Sequence, residues 1–292
     1  MGIIAGSGWL PVAIARAVKE RDNLPVVAVG HLGETDPSLA SWVDAISWVR
    51  LGQFGRIIDY LAQQKARRVV LAGGIVKSRI WQVRPDWLAM KLVARLHHLH
   101  DDLLLRGIGA ELESRGFDVV GVADLLPGLL VPEGLLTPVG PTPEEWEDIR
   151  FGWVMAKQLG QLDIGQGVVV HRRNVVAVEA MEGTDAMIRR AGELLRKGGV
   201  LVKVVKPTQD RRFDLPSVGP KTVDALAAAG LSVLALEAGG VLLLEPEETL
   251  ARAKRAGIVL LALSPSPNAA VELGRFGFAV AGPERSPDGA VS

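Results

Sequence analysis

One stretch of this chain gathers groups suited to phosphoryl chemistry. The segment 203-KVVKPTQDRRFDLPSVGP-220 places Lys203, Lys206, Gln209, Asp210, Arg211, Arg212 and Asp214 within twelve residues. Hydrolysis of a phosphoric anhydride needs such a set. Cations neutralise charge that develops on the phosphoryl oxygens, and a carboxylate holds a metal or orients water. An exposed, salt-bridged loop has the same composition. Spacing alone leaves the two readings open and does not choose between Asp210 and Asp214.

Other groups lie where strands are expected to end. In 178-VEAMEGTDAM-187 a strand runs into Gly183, and Thr184 is placed to cap the helix that follows. Glu182 and Asp185 offer oxygens to a divalent ion there. In 163-DIGQG-167, Asp163 and Gln166 precede a strand. Near the N-terminus, 5-AGSGWLP-11 brings Gly6, Ser7 and Gly8 to a strand-to-helix turn, where backbone N–H groups can approach a phosphate. The turn 72-AGGIVKSR-79 adds Gly74, Lys77 and Arg79. Neither turn is a full dinucleotide fingerprint or a Walker loop, and glycine-rich turns also arise for steric reasons. The cluster 97-HHLH-100 puts His97 and His100 on one helix face, but hydrogen bonding near Asp101 and Asp102 explains it as well as a metal does.

The elements that must position these groups read as α/β. The chain has 292 residues, 48% hydrophobic and 23% charged, which suits two packed domains. Strands at 2–6, 25–30, 68–74 and 117–122 alternate with helices at 10–22, 52–65, 86–99 and 101–116. Their continuous Val/Ile/Leu runs predict a parallel sheet covered on both faces. A proline- and glycine-rich stretch at 126–143 reads as a linker. Beyond it, a helix over 142–160 leads into strands at 167–172 and 174–180, joined as a hairpin through Arg173. A helix at 184–198, strands at 199–205, 232–238, 240–245 and 258–263, and helices at 219–230 and 246–257 complete a second domain with a mixed sheet. The expected division is a Rossmann-like domain at 1–125, the linker at 126–143, a catalytic α/β domain at 144–264 and a tail at 265–292.

The formal net charge is zero, so no general nucleic-acid footprint exists and phosphate recognition must be local. The chain has no cysteine, which excludes disulfides, thiolate zinc sites and a cysteine nucleophile. No basic leader precedes the apolar N-terminus, and no apolar run is long enough to suggest a membrane span. These features fit a cytoplasmic protein.

The motifs together resemble the UDP-2,3-diacylglucosamine pyrophosphatases of one lipid A branch. The similarity runs over about residues 2–263. It is carried by GIIAGSGWLP, GQFGRIIDYL, DDLLLRGIGAELESRGFDVVG, LDIGQGVVV, VEAMEGTDAMIRR and VLVKVVKPTQDRRFDLPSVGPKTVDALAAAGL. EGTDAM together with the KPxQxxRxDLP pattern is specific to that family. The resemblance implies two domains enclosing the substrate, and attack of water on the α-phosphate with Mg or Mn present. It places the catalytic aspartate at Asp214, with Asp214 and Asp185 as metal ligands. The substrate contacts it implies are Gly6, Ser7, Gly8, Gly74, Arg79, Gln166, Thr184, Lys203, Lys206, Gln209 and Arg212. It further implies a homodimer that meets the inner membrane peripherally. Two other readings share the elements: hydrolysis of a different nucleoside diphosphate sugar, and a non-catalytic regulator that binds nucleotide sugars. The chain departs from the family pattern in its GSG turn, in 77-KSRI-80 and at His100, all in the N-terminal half.

Overall fold

The structure, a computed structural model, describes residues 1–74, 85–95, 101–207, 209–213 and 215–264. It divides into two compact units, each with its own sheet.

The first unit is built on five parallel strands: β1 (Gly2–Ala5), β2 (Val27–His31), β3 (Ala45–Val49), β4 (Arg68–Ala72) and β5 (Asp118–Val119), in the order β3-β2-β1-β4-β5. Successive residues of β1 face opposite sides. Ile3 enters a core with Ile14 and Val18 of helix α1 (Leu10–Asp22). Ile4 enters another with Ile57, Ile58 and Leu61 of helix α2 (Phe54–Gln63). Both faces are therefore covered, which is why the strands read as unbroken apolar runs. Helices α3 (Trp87–Arg95) and α4 (Asp101–Ser114) follow β4. The strand expected at 117–122 shortens to β5 because Asp124 accepts the Gly121 N–H at 2.9 Å, starting helix α5 (Val122–Leu125). The edge strand β3 is not foreseen from sequence. It follows a 3-10 turn, Pro37–Trp42, that Asp36 opens by accepting the Ser38 N–H at 2.8 Å.

The first unit is not one continuous segment. It comprises 1–131, 208–220 and 240–249. Within those returns, β10 (Ser217–Val218) and β12 (Leu242–Leu243) form a parallel two-stranded sheet. Leu215, Leu242 and Leu244 pack on the α1-side core.

The second unit holds a mixed sheet in the order β6-β13-β11-β9-β7-β8. Its strands are β6 (Gly134–Leu135), β7 (Gly167–His171), β8 (Asn174–Val178), β9 (Val200–Lys203), β11 (Val233–Glu237) and β13 (Val259–Leu263). β11 runs parallel to β9 and β13, whereas β7 is antiparallel to β8 and β9. The short β6, inside the proline-rich stretch, pairs antiparallel with β13. Helix α6 (Pro143–Gln161) starts from a reciprocal cap: Thr142 Oγ1 accepts the Glu145 N–H, and Glu145 returns the bond to the Thr142 N–H. Gly152 lets it lie on β9, since a Cβ there would stand 2.8 Å from Val202 Cγ2. The β7–β8 hairpin turns through Arg172 and Arg173, both left-handed. The buried Asp148 carboxylate accepts both of their N–H groups, at 2.9 and 2.6 Å. Helices α7 (Thr184–Leu195), α8 (Pro220–Ala229) and α9 (Pro246–Ala256) complete the element list.

Candidate functional site

In the first unit the two glycine turns meet where the strand order reverses. In open α/β sheets ligands bind in that crevice, beyond the carboxyl ends of the strands. Ser7 N–H donates to Gly74 O at 2.7 Å, Gly74 N–H donates to Ser7 O at 3.1 Å, and Ser7 Oγ donates to Gly74 O at 2.9 Å. A Cβ at Gly6 would lie 2.4 Å from Gly74 O, and one at Gly73 would lie 2.4 Å from Ser7 O. Those two glycines are required by the mutual approach of the turns. Gly8 differs: its φ is +95° and nothing crowds it. It borders a cavity of about 930 Å³.

In the second unit Lys203 is not a solvated charge. At the end of β9 it is 2% exposed. Its Nζ donates to Glu179 Oε1 and Oε2 at 3.1 and 3.0 Å, and to Thr184 Oγ1 at 2.6 Å. Thr184 Oγ1 in turn donates to Glu179 Oε1 at 2.5 Å. The sequence suggests Thr184 as the α7 cap. Instead Gly183, with φ of 79°, takes that position, and the helix starts without a side-chain cap because the threonine hydroxyl is drawn inward.

The same network accounts for 163-DIGQG-167. A Cβ at Gly165 would stand 1.8 Å from Glu179 O, and one at Gly167 would stand 2.6 Å from Glu179 Oε2. Glu179 occupies the space of both missing side chains. Between them, Gln166 is tied by its backbone O to Val204 N–H at 3.0 Å, while its buried side-chain Oε1 has no hydrogen-bond partner. Lys206 is held by Asp163 at 2.6 Å. Glu182 is bound by Arg190 at 2.6 Å, and its own backbone N–H, followed by that guanidinium, keeps its carboxyl below the usual range. Past the end of β9, Glu237 Oε2 accepts from Val205 N at 2.7 Å and from Lys157 Nζ at 2.6 Å.

The later part of the charged stretch belongs to the first unit. Arg212 clasps Asp210 through Nε (3.1 Å) and a terminal nitrogen (2.9 Å), and reaches Glu113 at 2.5 Å. The Arg212 hydrogen bond holds the Asp210 carboxyl below its usual range, and Asp210, then Glu113, raise the guanidinium further. Phe213 packs so closely that a Cβ at Gly109 would stand 2.2 Å from its ring. Phe213 sits against the α2-side core and Leu215 against the α1-side core. Asp214, Arg79, Lys77, His97 and His100 lie outside the described residues.

The donor set bears on a metal. Among the described residues no group of three histidines or carboxylates could hold an ion. In the second unit Glu179, Glu182 and Asp163 are engaged by Lys203, Arg190 and Lys206. Asp185, in the first turn of α7, is exposed. Magnesium is held by one or two carboxylates with water and substrate phosphates. A single open carboxylate fits that shared shell and does not fit an all-protein cage.

Two family models divide the chain between them. The LpxI N-terminal domain matches residues 1–129, and the LpxI C-terminal domain matches residues 132–261. The chain belongs to the LpxI family. Within it, the chain is 36% identical over 277 residues to "UDP-2,3-diacylglucosamine pyrophosphatase LpxI" of Caulobacter vibrioides, covering 91% of this chain and 98% of that protein. The motifs that carry the resemblance therefore sit in a full-length LpxI match. Likeness to solved structures is slight. The biotin carboxylase domain of the Hydrogenobacter thermophilus 2-oxoglutarate carboxylase aligns at 14% identity and a TM-score of 0.27, covering 59% of this chain. The biotin carboxylase subunit of pyruvate carboxylase aligns at 14% and 0.26, covering 61%. The chain spans 35% of each of those structures, and alignments this weak carry no argument.

Glu179 is the residue that sequence reasoning misses. It lies within 178-VEAMEGTDAM-187, but the chemistry of that stretch is read there from Glu182, Thr184 and Asp185 alone. The sequence signal for it was two glycines flanking one residue, 165-GQG-167, directly before a strand. In a strand context isolated glycines mark close approach of another group.

Proposed function

We propose that this chain hydrolyses UDP-2,3-diacylglucosamine to UMP and 2,3-diacylglucosamine 1-phosphate in lipid A biosynthesis. One observation carries the reading: the match to the Caulobacter vibrioides protein of that name, which runs through both halves of the chain and 98% of the relative. A water oxygen bonds to the α-phosphorus. The bond from that phosphorus to the bridging oxygen breaks, and the bridging oxygen leaves with the sugar phosphate.

Asp214 is the proposed catalytic carboxylate. The R-x-D-L-P pattern that falls on residues 212–216, within the segment matched by the LpxI C-terminal domain, supports this role. Magnesium or manganese is the proposed cofactor, with Asp214 and Asp185 as ligands. When bound, it would neutralise charge on the phosphoryl oxygens. Of the proposed substrate contacts, Gln166 has the clearest structural support, in an amide oxygen without a partner. The uncapped α7 N-terminus beside Thr184 supports an anion nearby. Lys203 and Arg212 act by holding Thr184 and Asp210. Gly6, Ser7, Gly8, Gly74, Arg79, Lys206 and Gln209 complete the proposed set. We further propose a cytoplasmic homodimer that meets its lipid substrate peripherally at the inner membrane. Among the described residues no helix is long and apolar enough to cross a membrane.

The test is UMP release from UDP-2,3-diacylglucosamine in detergent, with magnesium, with chelator, and for Asp214→Ala. Metal-dependent release that disappears in the variant is expected. A folded wild type that releases no UMP under either metal refutes the assignment.

A further inference from the structure

The ladder between β9 and β11 ends where Lys203 stands opposite Leu236. Past that point the chain is still held. On the β7 side, Val204 N–H donates to Gln166 O at 3.0 Å. On the β11 side the next backbone donor, Val205 N–H, meets the Glu237 carboxylate at 2.7 Å. The Val205 carbonyl accepts from Lys157 Nζ at 3.1 Å, and the same ammonium donates to Glu237 Oε2 at 2.6 Å. One ion pair therefore takes both polar backbone groups of Val205.

Helix α6 supplies more than the lysine. Gly160 lies one turn beyond Lys157, on the same face. A Cβ there would stand 3.3 Å from Lys206 Cα and 3.3 Å from Pro207 Cδ. Asp163, just past the helix with a left-handed φ of 55°, takes the Lys206 ammonium at 2.6 Å. Lys157, Gly160 and Asp163 thus address Val205 and Lys206 in turn, at a carbonyl, a Cα and an ammonium. Stability does not account for the ion pair. The Lys157 side chain is 18% exposed and that of Glu237 8%. Withdrawing two charges from water to that extent offsets most of their attraction, and an apolar pair of like volume is often as stable. An apolar pair cannot bond a backbone N–H and C=O that have left their sheet.

We propose that Lys157 and Glu237 are positioning residues for the reaction. They fix Val205 and, through it, the backbone from which Lys206 reaches. The inference rests on the hydrolase reading, in which Lys206 contacts the substrate. An ammonium there is suited to the diphosphate, whose oxygens gain charge as the anhydride breaks.

The experiment is a mutant cycle on the full chain, read by steady-state UMP release from UDP-2,3-diacylglucosamine in detergent with magnesium. Lys157→Met/Glu237→Leu replaces the pair by apolar groups of similar size, and its urea midpoint is expected close to wild type. Its kcat is expected to fall about tenfold or more with KM little changed, as misplacement of a group that acts in the transition state requires. In a Lys206→Met background the same two changes are expected to cost less than about twofold, because the contact they position is already gone. Lys157→Met/Glu237→Gln returns an acceptor to the Val205 N–H and is expected to recover part of kcat. It carries the cycle if the first variant does not fold. A folded variant with wild-type kcat overturns the proposal. So does a loss as large without Lys206 as with it, which marks a general structural effect and leaves the hydrolase reading standing. Wild type that releases no UMP overturns the hydrolase reading, and a role in that reaction falls with it.

Discussion

Glu179→Gln keeps the volume of the side chain and removes its charge from Lys203. At the observed 3.0 Å, the gross attraction is about 5.5 kcal/mol with an effective dielectric constant of about 20. Much of that offsets desolvation, and breaking one partner of a buried pair typically costs about 3–5 kcal/mol. Lys203 is 2% exposed and Glu179 8%, so solvent cannot replace the lost partner. The expected loss is about 3 kcal/mol, measured by urea denaturation of the full chain followed by far-ultraviolet circular dichroism. The double variant Glu179→Gln/Lys203→Met removes both charges and is expected to recover to within about 1 kcal/mol of wild type, since apolar replacement of a buried pair is often neutral. A single variant that loses less than about 1 kcal/mol refutes the reasoning, because it means the pair is solvated. A double variant at least as unstable as the single one refutes it differently, by showing that the charge was not the cost.

Gly165→Ala drives a Cβ into the Glu179 carbonyl, a backbone atom that cannot rotate away, and is expected to cost about 3 kcal/mol or more in the same denaturation assay. The Asp210–Arg212 clasp predicts a pH dependence. Asp210 is depressed in the fold, so its stabilisation is present above its unfolded value of about 3.9 and is lost as pH falls through the lower folded value. The urea midpoint of Arg212→Met is therefore expected below that of wild type at pH 7, and the gap is expected to narrow as the pH falls below about 4. A gap that is unchanged at low pH counts against the clasp.

Much of the fold is written in local patterns. The apolar runs of β1, β2 and β4 announce strands covered on both faces, and Thr142-Pro143 with Glu145 announces the start of α6. β3 is missed because an edge strand half-covered by its neighbours carries a weak pattern. The run at 240–245 reads as one more strand of the second sheet. It is instead the partner of β10, and this is a non-local choice that no window of sequence contains. At the candidate site the residue types are legible but their partners are not. Lys203 looks like a phosphate donor until Glu179, 24 positions away, is seen to hold it. The glycines of DIGQG look like a turn until the same glutamate is seen filling their space. Asp214 is chosen over Asp210 by family resemblance, and the Arg212 clasp accounts for Asp210 structurally.

The two returns of the chain into the first unit set a timetable for its synthesis. Residues 1–131 emerge without the segments 208–220 and 240–249 that complete their unit. Leu242 is missing from the α1-side core, and Leu215 and Leu244 are missing from its margin, until the ribosome has moved 118 residues further, from 131 to 249. At about 5–20 residues per second that wait is roughly 6–24 s. During it, residues 132–207, the first block of the second unit, also emerge without the strands β11 and β13 that finish their sheet. Both units therefore close late. A fragment ending near residue 131 is not a smaller version of the first unit, because it has lost part of its own core.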